Sequence, residues 1–207
     1  MMTEGIHVKA IAIAMLATLC ACGTSPESNY YLLTPSVSES RTGEAREVPG
    51  GGILIVDEVG VAPYIDKTQM VRRLDTWRVS TDEFEVWAEP ISDLITAQMV
   101  DALGARFNPD NVMPAKSARG LNARYRVGAE VLRLDVDSNN LVTLGARWIA
   151  SAERSRCDPV TRRFQSTRQL AVEAAVAERV SAMSELLEEL ADEVSAAVVD
   201  LDLRGCR

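Results

Sequence analysis

The second half of the chain carries a long alternation of apolar and polar residues, and this pattern restricts the fold more than any other feature. Apolar side chains occupy every second position from Tyr125 to Val131, and the parity then changes and continues to Val136. Period-two alternation is typical of strands that bury one face. The change of parity predicts a β-bulge near residues 131–132.

Turn signals divide the same region into three strands. The segment Asp137-Ser138-Asn139-Asn140 predicts a hairpin turn, and Asp158-Pro159 predicts the next turn. The middle strand has one apolar face, formed by Val142, Leu144, Ala146, Trp148 and Ala150. We expect the last strand to run from Phe164 to Val172, which completes an antiparallel meander.

Two amphipathic segments are predicted to be helices that cover the meander. Pro90 opens the first, because proline is favoured in a first helical turn, and Asn108-Pro109 ends it. The second spans roughly 174–202, and its apolar stripe needs a sheet to pack on. Its other face carries acidic side chains that we expect to be solvated, with a docking surface as the alternative: Glu185, Glu188, Glu189, Asp192 and Glu193. The predicted class is an α/β (α+β) two-layer fold, a largely antiparallel β-sheet with two main helices packed on one face.

The first half of the chain is predicted to add shorter strands to this sheet. The segment 30-YYLLTP-35 is typical of a first strand, and residues 36–52 are typical of a loop. The segment 53-ILIVDEVGV-61 is typical of a central strand. Residues 69–73 and 76–80 predict a hairpin turning near Asp75, followed by an extended piece at 84–87. A further short strand is expected near Val112-Met113.

The N-terminal segment has the composition of a targeting signal. Residues 10–19 are uncharged and apolar, which is about half the length that a membrane-spanning helix needs and the size of a signal-peptide core. Leu19-Cys20-Ala21 before Cys22 has the form of a bacterial lipobox. We therefore expect a signal peptide over 1–21, lipidation at Cys22, a lipidated tether over 22–29 and a domain over 30–207. A plain secretory signal and a Cys-x-Cys metal or redox site are the alternatives.

Two further cysteines, Cys157 and Cys206, remain in the processed chain. Cys157 precedes the last predicted strand, and Cys206 follows the long helix that returns along it. A strand and a returning helix bring both cysteines to the same end of the domain. Because exported proteins experience oxidising conditions, we expect a disulfide between them, with two unpaired thiols as the alternative.

Charge and composition argue against several classes of function. The net charge of −8 disfavours nucleic-acid binding, which needs a basic face. The one histidine, His7, lies in the predicted signal peptide. Once the signal peptide is removed, the chain has no histidine, which excludes histidine-based catalysis and histidine-ligated metal sites. We predict a non-enzyme with no cofactor and no metal.

Two pairs of charged residues are candidate sites. Asp135 and Asp137 share a strand face and could do acid–base chemistry, but carboxylates at a strand end are expected to be solvated. Arg72 and Arg73 would point to opposite faces of a strand, which disfavours a joint anion site.

Several phrases in a fixed order resemble one lipoprotein family. After the lipobox come 30-YYLL-33, then 53-ILIVDEVGVAPYIDKTQMVRR-73, then 86-VWAEPI-91 at a helix start, then 124-RYRVGAEVLRLDV-136. This order resembles the ABC-type transport auxiliary lipoprotein family, typified by the paraquat-inducible protein C lipoproteins. For Trp87, Glu89 and Pro90 in its helix-start motif we expect fold-keeping roles: a buried ring, a negative charge near the helix N-terminus and a fixed first turn.

The resemblance implies a non-catalytic accessory of an intermembrane transport system for lipids or other hydrophobic compounds. It implies an MCE-domain substrate-binding protein of an ABC transporter as the partner, a lipid anchor in the outer membrane facing the periplasm, and a homo-oligomeric ring. Gly23 after the lipidated cysteine agrees with known rules for sorting to the outer membrane. The alternatives are a structural lipoprotein of another envelope assembly, a stand-alone lipid-binding module, and a hydrolase using Asp135 or Asp137.

Overall fold

The computed structural model describes residues 26–35 and 46–206. The predicted signal peptide, the lipobox with Cys22 and most of the predicted loop at 36–52 lie outside the described residues.

One strand, β7 (Ala123–Asp137), organises the sheet. Along one edge it pairs with β8 (Leu141–Ala152), and β8 pairs with β9 (Val160–Gln169), both antiparallel. Along its other edge it pairs in parallel with three short strands in succession: β2 (Ile53–Val56), β3 (Gly60–Val61) and β4 (Gln69–Arg73). These three strands therefore pair with β7 in chain order, from its N-terminal end to its C-terminal end.

Three more strands extend the sheet beyond these short ones. The strand β5 (Val79–Trp87) forms an antiparallel hairpin with β4, and β1 (Asn29–Tyr31) pairs in parallel with the end of β5. The strand β6 (Val112–Pro114) pairs in parallel with β2 and follows a short 3-10 helix, Pro109–Asn111.

Two helices, α1 (Ile91–Gly104) and α2 (Val176–Leu203), pack on the sheet and against each other. The helix α1 contacts β2, β3 and β6, whereas α2 contacts β7, β8 and β9. Between helices and sheet lies one continuous apolar core, in which Trp148, Tyr125 and Phe107 are the largest fully buried side chains. Burying this surface is the main source of stability for such a layered fold.

The α+β class with two helices on the sheet is confirmed, as are the hairpin near Asp75, the strand at residues 112–114 and the turn at residues 137–140. The bulge is also confirmed, because the register between β7 and β8 shifts between Val131 and Arg133. The five apolar residues predicted for the inner face of β8 are all buried.

Several details differ from expectation. Beside the expected antiparallel pairs of β4–β5, β7–β8 and β8–β9, the sheet also contains parallel pairs, made by β1, β2, β3, β4 and β6. The predicted central strand at 53–61 is divided into β2 and β3, because the amide of Val59 donates to Thr96 Oγ1 in α1 (2.9 Å) instead of joining the sheet. The last strand occupies Val160–Gln169, nearer to the turn at Asp158 than predicted.

Candidate functional site

The most connected polar cluster is centred on Asp135, which has no exposed side-chain surface. Its Oδ2 accepts hydrogen bonds from Arg73 (Nη2, 2.8 Å) and from the Tyr64 hydroxyl (3.1 Å). Its Oδ1 accepts from Arg133 Nε at 3.0 Å. The cluster joins β4 and the loop before it to β7, and both carboxylate oxygens are occupied by these partners.

The expectation that Asp135 is solvated is therefore wrong, and its role differs from that of its neighbour. Asp137 closes the hairpin turn, because its Oδ1 accepts from the backbone amides of Asn139 (2.8 Å) and Leu141 (2.9 Å). One carboxylate is held by arginines and the other by a turn, so both are engaged in maintaining the fold. Arg72 and Arg73 are likewise separate, since only Arg73 reaches Asp135.

Tyr64 belongs to the family-like phrase Pro63-Tyr64-Ile65-Asp66-Lys67. The phrase forms a turn in which the amide of Ile65 donates to the carbonyl of Ala62 (2.8 Å). The Arg73 guanidinium lies 5.7 Å from the Tyr64 ring centre. Burial, and next the negative charge of Asp135, raise the pKa of the Tyr64 hydroxyl. The hydrogen bond that Arg73 donates to Asp135 raises the pKa of Arg73 as well. The phrase thus anchors a loop to the sheet.

The predicted helix-start motif lies at the junction of β5 and α1. Trp87 is buried in the core at 5% exposure, and Glu89 is exposed. Pro90 is the N-cap residue of α1, and its carbonyl accepts from the amides of Asp93 (2.9 Å) and Leu94 (3.1 Å). Their positions are those of residues that direct the chain from strand into helix.

Cys157 and Cys206 form a disulfide that closes a separation of 49 residues, with their Cα atoms 5.7 Å apart. It ties the turn before β9 to the residues after α2. Beside it lies an open cleft of about 430 Å³, lined by Gly50–Gly52, Arg124 and Arg154 among others. Arg124 packs so tightly on this glycine loop that a Cβ added at Gly50 would overlap its guanidinium. A lining of charge and glycine differs from the deep apolar cavity that a lipid carrier needs.

The acidic face of α2 is more engaged than the sequence suggested. Arg168 of β9 pairs with Glu189 (2.9 Å) and Glu185 (3.3 Å). Arg106, just after α1, pairs with Asp192 (2.6 Å), and Glu188 is only 7% exposed. The expectation of a fully solvated face is therefore wrong, since these carboxylates join α2 to β9 and to the end of α1.

One surface feature was not singled out from the sequence. The turn between β4 and β5 exposes 91% of Trp77, together with parts of Leu74 and Val79. A tryptophan between polar residues, two positions after the predicted turn at Asp75, was the available signal, because a hairpin turn lies far from the core.

Within residues 26–35 and 46–206, no three His, Cys, Asp or Glu side chains are grouped as a metal site requires. Neither helix of the described chain is long and apolar enough to cross a bilayer.

The fold and its clusters define a mixed-sheet α+β domain whose buried polar groups hold loops and helices in place. The sequence matches the family of ABC-type transport auxiliary lipoprotein components over residues 30–195, and the chain belongs to that family. It is therefore an auxiliary lipoprotein component of ABC-type transport. No curated protein sequence matches the chain significantly.

Solved structures share the fold at low sequence identity. Protein XCC0632 from Xanthomonas campestris is 14% identical, with a TM-score of 0.63 over 86% of this chain and 99% of that one. A protein described as uncharacterized is 13% identical, with a TM-score of 0.65 over 83% of this chain and 98% of that one. At these identities the likeness concerns the fold alone.

Proposed function

We propose that this protein is anchored in the outer membrane through lipid chains on Cys22 and faces the periplasm. There it acts as the non-catalytic auxiliary component of an ABC transporter that moves lipids or other hydrophobic compounds between the two membranes. It docks the MCE-domain substrate-binding protein of that transporter at the outer membrane. Residues 1–21 are the signal peptide, 22–29 the tether and 30–207 the docking domain.

The observation that carries the proposal is the family match from residue 30, which begins a short tether after a lipobox that ends at Cys22. Two or more acyl chains hold a protein stably on a bilayer, because each buried methylene contributes about 0.8 kcal/mol. The tether is short, so the domain stays next to the membrane that carries the anchor.

The disulfide supports an extracytoplasmic location. Disulfides form and persist in oxidising compartments such as the periplasm and are rare where thiols are kept reduced. The Cys157–Cys206 bridge closes the end of the domain that carries the terminus of α2, so an oxidising compartment favours the folded form.

The test is an affinity pull-down of the full-length protein from detergent-solubilised envelopes, with mass spectrometry of the proteins recovered. We expect an MCE-domain protein and its permease to be enriched, and acyl chains on the N-terminal peptide beginning at Cys22. Cys22→Ala should abolish acylation and reduce recovery, whereas Cys20→Ala is the matched control, because Cys20 would be removed with the signal peptide.

Enrichment of a secretin or another envelope assembly would contradict the proposal and favour a structural lipoprotein. A preparation with bound lipid and no partner would favour a stand-alone lipid-binding module. We also propose that the protein forms a homo-oligomeric ring, for which light scattering of the detergent-solubilised lipoprotein should give a mass several times that of one chain.

A further inference from the structure

The turn between β4 and β5 presents a small apolar projection, which we call the hairpin tip and define as residues 74–79. Trp77 is 91% exposed, and Leu74 and Val79 are 47% and 41% exposed. Single exposed apolar residues are ordinary on protein surfaces. A tryptophan that is almost entirely in solvent between two exposed aliphatic residues forms a small apolar patch that no part of the described fold covers.

The hairpin tip is an ordered turn. Asp75 Oδ1 accepts from the backbone amides of Trp77 (2.8 Å) and Arg78 (2.9 Å), and its Oδ2 accepts from Arg78 Nε (2.6 Å). The amide of Leu74 donates to the carbonyl of Arg78 at 3.0 Å. The hydrogen bond from the Trp77 amide is the main reason that the pKa of Asp75 is lowered. The backbone of the turn is therefore fixed, and it carries the exposed Trp77 side chain at its end.

The tether enters the sheet from the side of the domain that carries this tip. The strand β1 runs parallel to β5, so its first residue points toward the β5 end that carries the tip, and Asn29 lies beside Glu85. The side-chain Nδ2 of Asn29 donates to Glu85 Oε1 (3.1 Å) at this point. From Glu85 to Val79 the strand extends at most about 20 Å. Cys22 stands seven residues before Asn29, and a chain of that length reaches about 23 Å. The proposed anchor and the tip can therefore reach the same bilayer.

The tip suits a lipid surface better than a protein surface. A buried tryptophan removes about 150–250 Å² from water, so the whole tip supplies a few hundred Å² at most. A stable protein interface needs about 800 Å² from each partner. Tryptophan is enriched where membrane meets water, because its ring is apolar and its N–H can stay hydrated. A projecting turn needs no matching groove to enter such an interface.

We propose that the hairpin tip inserts Trp77 into the phospholipid interface of the membrane that carries the anchor. This inference rests on the proposed lipidation at Cys22. The contact adds a second attachment point to the one at the proposed anchor and sets the orientation of the domain. The opposite end of the domain carries the Cys157–Cys206 disulfide, and we call it the disulfide end. It then faces away from the membrane, because β9 and α2 run the length of the domain between it and the hairpin tip.

The test uses the full-length lipoprotein reconstituted into vesicles of phosphatidylethanolamine and phosphatidylglycerol, with or without brominated acyl chains. Bromine quenches tryptophan that lies in the bilayer interface. The chain has three tryptophans, and Trp87 and Trp148 are buried at 5% and 1% exposure. The fluorescence of Trp77 is the difference between the emission of wild type and that of Trp77→Phe. We expect brominated lipid to quench most of this fluorescence. We expect an aqueous quencher to quench it less once the protein is bound to vesicles.

A matched control moves the probe to the disulfide end. Leu203 is 80% exposed at the end of α2, and Leu203→Trp in the Trp77→Phe background places an exposed ring there. That ring should stay accessible to the aqueous quencher and unaffected by brominated lipid. Quenching of both rings to the same extent would overturn the proposed orientation.

Mass spectrometry of the same samples separates this inference from the proposed function. Acyl chains on Cys22 with Trp77 still accessible to water would overturn the inference alone. Reduced recovery of a protein partner by Trp77→Ser, without lipid quenching, would overturn it in favour of a protein contact. An unmodified Cys22 would overturn the proposed anchor and the inference together.

Discussion

Asp135 is a carboxylate whose partners come from separate parts of the chain. Arg73 is 62 residues away and Tyr64 is 71 residues away, and together with Arg133 they enclose it completely. The cluster fixes the end of β4 and the turn that precedes it. A charge without surface exposure is tolerated only where it is paired and hydrogen-bonded, and here both conditions hold.

Asp135→Asn should therefore lower stability rather than any activity. The change removes the negative charge and leaves two arginines partly enclosed without it. Breaking a buried ion pair on one side costs about 3 kcal/mol. Urea unfolding of the full-length protein in detergent checks this value, and Asp158→Asn, at an exposed turn position, is the control with little expected change. A loss below about 1 kcal/mol would mean that the cluster behaves as a surface pair.

Tyr64 predicts a specific dependence of stability on alkaline pH. Its pKa is raised in the folded protein, mainly by burial, so the folded state keeps the proton longer than the unfolded state. The contribution is complete below the ordinary pKa of 10.0 and is lost as pH rises through the raised value. Unfolding free energies of wild type and Tyr64→Phe, measured from pH 8 upward, should show a smaller decline for the variant. Equal declines would contradict this assignment.

The burial of the Asp135 carboxylate could not be predicted from local sequence. The sequence places Asp135 and Asp137 two residues apart on one face of a strand. From that pattern both carboxylates are expected to be solvated. What separates them is contact with residues more than sixty positions earlier, and such contacts leave no periodic signal. By contrast, the turn that Asp137 closes was predictable, since its partners are two and four residues away.

Among the elements, the junction of the two helices depends on Arg106. This side chain is 10% exposed. It donates to the carbonyl of Ala102 in α1, to the carbonyl of Glu188 in α2 (2.7 Å) and to the carboxylate of Asp192. Its planar fork reaches all three acceptors at once, a geometry that lysine cannot reproduce.

Arg106→Ala is expected to lower the free energy of unfolding by about 2 kcal/mol, because hydrogen bonds to charged groups contribute more than neutral ones. Arg106→Lys should recover only part of this loss. Arg204→Ala is the matched control: Arg204 also pairs with an aspartate of α2, Asp200, but on an exposed surface, where the expected cost is under about 0.5 kcal/mol. Equal losses for both alanine variants, by denaturant unfolding, would contradict a bridging role for Arg106.

The elements themselves were predictable where they carry their own period. The alternation through residues 125–150 predicted β7, β8 and the bulge between Val131 and Arg133. The parallel pairing of β2, β3 and β4 on β7 was not predictable, because a short apolar strand has no local feature that selects its neighbour or direction. The division of residues 53–61 likewise depends on Thr96 in α1, which takes the amide of Val59.

At the scale of the whole molecule, the two ends differ in construction. One end carries the hairpin tip and the turns after β7 and β9. The other carries the disulfide, the glycine loop and the end of α2. Arg124 joins the last two, since it packs on the loop and lies 3.7 Å from Asp202. In the proposed arrangement the first end meets the membrane and the second faces away from it.

We expect the disulfide at this second end to contribute strongly to the free energy of unfolding. It links residues 49 apart in sequence, and a loop of that length corresponds to about 4 kcal/mol of stabilisation through the unfolded chain. We expect the Cys157→Ala/Cys206→Ala double variant to unfold at a correspondingly lower urea concentration. Reducing agent should shift the wild type to the same midpoint and leave the double variant unchanged. If the shift were below about 1 kcal/mol, apolar packing of α2 at residues such as Leu201 would be sufficient to hold the end of the helix, and a reducing compartment would then be compatible with the folded domain.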